Sequence, residues 1–78
     1  MDKIEKFLRK IDRAKRVRLL TVMALIQDDI LNGLDIVSLK GLKNTFRCRI
    51  GDIRILFVRV DGKNVVQDMD FRGRIYKK

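Results

Sequence analysis

The chain contains no proline, and its five glycines, Gly33, Gly41, Gly51, Gly62 and Gly73, all fall in its second part. Glycine and proline are the strongest local breakers, so these few positions mark most of the places where regular structure stops. Upstream of Gly33 the apolar residues recur with helical spacing. Ile4, Phe7, Leu8 and Ile11 form one i, i+3, i+4, i+7 stripe, with Asp2 as N-cap and Glu5 three residues later. A joint near Asp12 opens a second helix, whose stripe runs Val17, Leu20, Ala24 and Leu31, broadened by Met23 and Leu25, and closes at Asn32-Gly33. The spacing predicts a helical hairpin.

From Phe46 the period changes to two, with β-branched and aromatic enrichment over residues 46–50, 53–60 and 65–71. Gly51-Asp52 and Asp61-Gly62-Lys63-Asn64 separate these runs at hairpin spacing, and residues 34–45 read as an irregular connector. The fold class expected is α+β: an N-terminal helical hairpin packed on one face of a three-stranded antiparallel meander sheet, in a single domain over residues 1–78.

Charge narrows the partners. With 19 Lys and Arg against 10 Asp and Glu, the 78 residues carry a formal +9. A polyanion is the leading partner for so basic a body, because phosphate neutralisation supplies most non-specific nucleic-acid affinity. An acidic protein satisfies the same arithmetic. A chain of this length buries only roughly 60% of its unfolded surface, which excludes a deep cleft between domains. With no histidine and one cysteine, Cys48, it has neither an intramolecular disulfide nor the usual zinc ligand set. No metal and no cofactor are expected. No apolar run approaches the ~20 residues that span a membrane, and the first residues, Met1-Asp2-Lys3-Ile4-Glu5-Lys6, hold no apolar secretory core. A cytoplasmic protein without membrane contact is expected.

Two groups of cations stand out. Arg13, Lys15 and Arg16, within a run from Lys6 to Arg18, surround the helix joint. They suit either an ordinary solvated face or phosphate contact. The second group follows from register. If Gly51-Asp52 is a two-residue turn, Ile50 opposes Ile53, Arg49 opposes Arg54 and Arg47 opposes Leu56, which puts Arg47, Arg49 and Arg54 on one face and Cys48, Ile50, Ile53, Ile55 and Phe57 on the other. Like charges directly opposite each other are destabilising, so folding alone gives no reason for the Arg49/Arg54 pair. Leu56, Val58, Val60, Val65 and Met69 share the arginine parity, and such an exposed apolar strip marks a partner surface. Leu56, Val58 and Met69 are its expected contacts. A four-residue loop pairing Val60 with Val65 brings Phe71 opposite Arg54 and Arg72 opposite Ile53, and carries the tail to Arg74, Tyr76, Lys77 and Lys78 beside the arginines.

Leu39-Lys40-Gly41, the run from Phe46 to Phe57 with its alternating arginines around Gly51-Asp52, Asp61-Gly62 and Phe71-Arg72-Gly73-Arg74-Ile75-Tyr76 together resemble the RelE/ParE superfamily of toxins from prokaryotic toxin–antitoxin pairs. The chain departs from the family pattern in lacking the usual N-terminal strand, and in having Phe71-Arg72-Gly73 where many members carry His-Arg-Gly. The resemblance implies a ribosome-dependent mRNA endonuclease that inhibits translation, with Arg47, Arg49, Arg54, Arg72 and Tyr76 as catalytic residues. It implies Arg74, Lys77, Lys78, Arg13, Lys15 and Arg16 as RNA contacts. The implied partners are a cognate antitoxin protein at Leu56, Val58 and Met69, mRNA and ribosomal RNA, and operator DNA reached through the antitoxin complex. The alternatives within the same superfamily are a ParE-like DNA gyrase inhibitor and an inactive homologue that binds only antitoxin.

Overall fold

A computed structural model describes residues 3–71. Helix α1 (Lys3–Lys10) is followed by α2 (Arg13–Gln27) and then by strands β1 (Asp35–Ser38), β2 (Thr45–Ile50), β3 (Ile53–Val60) and β4 (Lys63–Phe71). The strands form one antiparallel sheet in the order β1-β2-β3-β4. The expected three strands are therefore four. The additional one, β1, has only four residues, too few to show alternation, and lies where an irregular connector is expected; its pairing with β2 defines it.

The helical hairpin is joined at Asp12. Its carboxylate accepts a 2.8 Å hydrogen bond from the Lys15 backbone N–H and caps α2. Arg16 on the first turn of α2 reaches back to α1. Its Nε donates to the Leu8 carbonyl at 2.9 Å and its Nη2 to the Ile11 carbonyl at 3.1 Å, filling acceptors that the end of a helix leaves open.

The buried stripe of α2 is Leu19, Val22 and Ile26, and the expected Val17 and Leu20 point to solvent at 54% and 47% exposure. The helix is apolar on nearly all sides over residues 17–26, so periodicity alone does not select the inward face. It also ends at Gln27, before the expected Asn32-Gly33. The stop is a left-handed residue at Asp29 (φ 59°), with the Asp29 N–H donating to Ile26 O at 3.0 Å and the Ile30 N–H to Leu25 O at 2.8 Å. This double bond pattern normally employs glycine. A left-handed conformation costs other residues roughly 1–2 kcal/mol, and the Asp29 carboxylate offsets that by accepting from Arg59 at 2.7 Å and Asn64 at 3.0 Å.

Phe7, Ile11, Leu19, Val22 and Ile26 pack onto Cys48, Ile50, Ile53, Ile55, Phe57 and Met69, all under a tenth exposed. Phe7 meets Phe71 edge-on at 5.1 Å between ring centroids. Burial, with the Asp35 charge adding to it, pushes the Cys48 thiol up to about 11, so it stays protonated and unreactive at neutral pH.

The β2–β3 register is as expected, with Ile50 opposite Ile53, Arg49 opposite Arg54 and Arg47 opposite Leu56. The β3–β4 register is not. Asp61 and Gly62, both at positive φ, make a two-residue turn, so Val60 pairs with Lys63 and Val58 with Val65. A bulge between Leu56 and Phe57 then shifts the pairing again. Phe71 consequently faces Ile53, and Asp70 faces Arg54. Met69, expected on the outer face, falls opposite Ile55 and is 1% exposed in the core.

Candidate functional site

The sheet face away from the helices is built from residues that alternate with the core. One transverse row crosses all four strands: Asp35 on β1 faces Arg49 on β2, Arg49 faces Arg54 on β3, and Arg54 faces Asp70 on β4. The neighbouring row is Val37, Arg47, Leu56 and Asp68. Arg47, Arg49 and Arg54 thus share one face, as their spacing predicts.

The arginine pair is bracketed by carboxylates. Arg49 Nε donates to Asp35 Oδ2 at 2.7 Å, with both side chains about half exposed. At the other edge Lys3 Nζ meets Asp68 Oδ2 at 3.0 Å. Opposite-charge cross-strand pairs contribute roughly 0.2–1 kcal/mol, the same scale as the penalty for the like pair. The Arg49–Asp35 pair offsets part of the like-charge penalty, and Asp70 stands opposite Arg54 on the other side. This bracketing by carboxylates was not part of the expectation from sequence. It was hidden in the sequence because Asp35 lies on the unread strand β1 and Asp70 reaches Arg54 only through the shifted register.

The three guanidiniums differ in access. Arg49 is exposed and Arg47 half-buried, while Arg54 is only 7% exposed with Nη1 donating to the Gly51 carbonyl at 3.5 Å. An exposed, permanently charged guanidinium offers a planar fork suited to phosphate oxygens, and it does not act as a base. Arg49 is the one whose charge meets solvent most openly. Arg72, Arg74, Tyr76, Lys77 and Lys78 lie outside the described residues. Among the described residues, no group of three His, Cys, Asp or Glu side chains comes together as metal ligands.

The helical rim divides. Arg16, expected to contact RNA, is committed to the α1 carbonyls. Arg13 and Lys15 stay exposed, and so does Arg18. Of the expected partner strip, Leu56 and Val58 are half-buried, and Val60 and Val65 lie open at 51% and 43%. Val37, on the same face, was missed with β1.

A chain of the RelB–RelE antitoxin–toxin complex from Methanococcus jannaschii superposes with a TM-score of 0.72, at 22% sequence identity, over 85% of this chain and 80% of that one. The chain has a RelE-like fold. Neither a protein-family model nor a curated protein matches its sequence. The RelE-like fold thus supplies the frame, while the arginine rows are features of this chain's own residues. No helix is long and apolar enough to cross a membrane among the described residues.

Proposed function

We propose that the protein is the toxin of a toxin–antitoxin pair and cuts mRNA bound in the ribosome. The observation that carries this reading is the grouping of Arg47, Arg49 and Arg54 on one side of a RelE-like sheet in a chain of formal charge +9. In the proposed reaction the ribose 2′-oxygen attacks the adjacent phosphorus. The 2′-O–P bond forms, the P–O5′ bond breaks, the 2′ proton leaves to a base and a proton is given to the departing O5′. The products are a 2′,3′-cyclic phosphate and a 5′-hydroxyl. Arg47 and Arg49 stabilise the extra negative charge on the phosphorane oxygens, the kind of task to which fixed cations are suited. Proton transfer falls to Tyr76 in this reading. Arg72 joins the phosphate contacts.

The antitoxin is proposed to cover the outer apolar strip at Leu56 and Val58, together with exposed Val60 and Val65. Leu56→Asp is expected to abolish co-purification with an acidic partner protein encoded beside it while leaving circular dichroism unchanged; retained binding removes this surface from consideration. A second reading, a homologue that binds antitoxin and no longer cleaves, is favoured by the carboxylates bracketing Arg49 and Arg54. Expression in a host with mapping of cut sites in translated mRNA decides between them. Translation-dependent cuts support the nuclease, intact mRNA with a DNA-damage response supports gyrase inhibition, and normal growth supports the inactive homologue.

A further inference from the structure

Most arginines that the fold can use, it uses: Arg16 on α1, Arg49 on Asp35, Arg59 on Asp29. Lys15 and Arg18, like the exposed Arg9 and Arg13, carry no such commitment, and it is these two that line a recess. They lie three residues apart on one face of α2, both are exposed, and their side chains have no ion-pair or hydrogen-bond partner among the described residues. Between them and the β2–β3 turn is a recess of about 110 Å³, with Leu19, Ile50 and Ile53 at its floor and Asp52 at its far lip. The turn itself is unobstructed, with no heavy atom within 4 Å of where a side chain on Gly51 would begin.

We infer that this recess is a nucleobase subsite, taking one pyrimidine of a single-stranded RNA whose phosphates on either side meet Lys15 and Arg18. The inference rests on the reading of the protein as RNA-binding and extends it to a second point of contact. Size sets the ring: a closed cavity of ~150 Å³ holds benzene, and this smaller recess of about 110 Å³, open on one side, takes in part of a single six-membered ring and leaves no room for a purine. The aliphatic floor gives apolar contact to a ring face, while the two cations flank the entrance where backbone phosphates must pass. Asp52 sets the edge. A carboxylate at the lip repels a further phosphate and accepts from an exocyclic amine, and among pyrimidines only cytosine presents one. The recess lies at the turn end of the two strands that carry Arg49 and Arg54, with Ile50 and Ile53 facing it and the arginines on the other side of the sheet. A strand rounding the turn meets both.

The test is fluorescence anisotropy with the full chain and short single-stranded RNAs that differ only at one central position: cytosine, uracil or an abasic ribose. Cytosine is expected to bind about tenfold more tightly than the abasic strand, the scale for burying one ring face at ~25 cal/mol per Å², with uracil in between. Asp52→Asn, at an exposed turn position, is expected to erase the preference for cytosine over uracil and keep that over the abasic strand. The double variant Lys15→Ala/Arg18→Ala is expected to lower the salt-dependence slope by about 0.7 for each lost phosphate contact. Equal binding of the three strands by the parent, or a slope unchanged in the double variant, overturns the subsite. If Arg49→Ala still weakens binding in that case, the RNA-binding reading survives without it. If the parent binds none of the strands, both readings fall together.

Discussion

Two Asp–Arg clusters in this small protein use the same residue types to opposite ends. At the junction of α2 with the β3–β4 hairpin, Asp29 accepts from Arg59 Nη2 at 2.7 Å and from Asn64 Nδ2 at 3.0 Å, Arg59 Nε donates to Asn64 Oδ1 at 3.1 Å, and Asn64 Nδ2 also donates to the Ile26 carbonyl at 2.9 Å. Asn64 is 6% exposed. That cluster is cross-linked around the buried Asn64, although Arg59 and Asp29 are themselves about half exposed, and its product is a helix end pinned to a hairpin. The row Asp35, Arg49, Arg54, Asp70 is arranged side by side across a sheet face, with Arg49 and Asp35 about half exposed. Its charges balance, and while Arg54 is buried at 7% exposure, Arg49 still faces solvent. Mutual satisfaction in three dimensions makes a strut, whereas pairing in a line leaves a surface that a phosphate can enter.

The sharpest way to break this contrast is Arg49→Ala. It is expected to reduce mRNA cleavage by about a hundredfold, the scale for losing one transition-state charge contact, while unfolding free energy changes by less than about 1 kcal/mol because the Asp35 pair is exposed. A large stability loss with intact cleavage reverses the assignment. Asn64→Ala does the opposite. It leaves buried partners unsatisfied and is expected to cost about 2 kcal/mol, which lowers the melting temperature of a domain this size by roughly 10 °C, with cleavage unaffected where the protein is folded. Arg59→Met is expected to cost about 1 kcal/mol in urea unfolding, since Asn64 still holds Asp29. The smallest effect is that of Asp35→Asn. Freeing Arg49 is expected to tighten single-stranded RNA binding about threefold at low salt, and weaker binding shows that Asp35 positions Arg49 instead of competing for it.

How much of this was legible depended on how each register is set. The two-residue Gly51-Asp52 turn fixes the β2–β3 pairing, so the shared face of Arg47, Arg49 and Arg54 followed from sequence alone. Asp61-Gly62 carries an equally strong hairpin signal, but Lys63 and Asn64 read as loop because they are polar; Asn64 is a strand residue whose amide is used by the end of α2. The bulge between Leu56 and Phe57 has no residue signature, and it moves Met69 from the expected partner surface into the core. The carboxylates that balance the arginines came into view only with β1 and the shifted β4. The RelE-like architecture was legible from motif order, and the charge balance of its outer face was not.

The contact from Arg16 to the end of α1 also bears on the order in which the molecule assembles. An α1 of eight residues is shorter than the ~12–15 at which free helices become stable in water, and its last acceptors are filled by a side chain that belongs to α2. The first helix in sequence is therefore expected to become stable only once the second has formed and docked. Phe7→Ala is accordingly expected to speed unfolding far more than it slows folding, so that loosening α1 shortens the lifetime of the folded protein without changing the route by which it is reached.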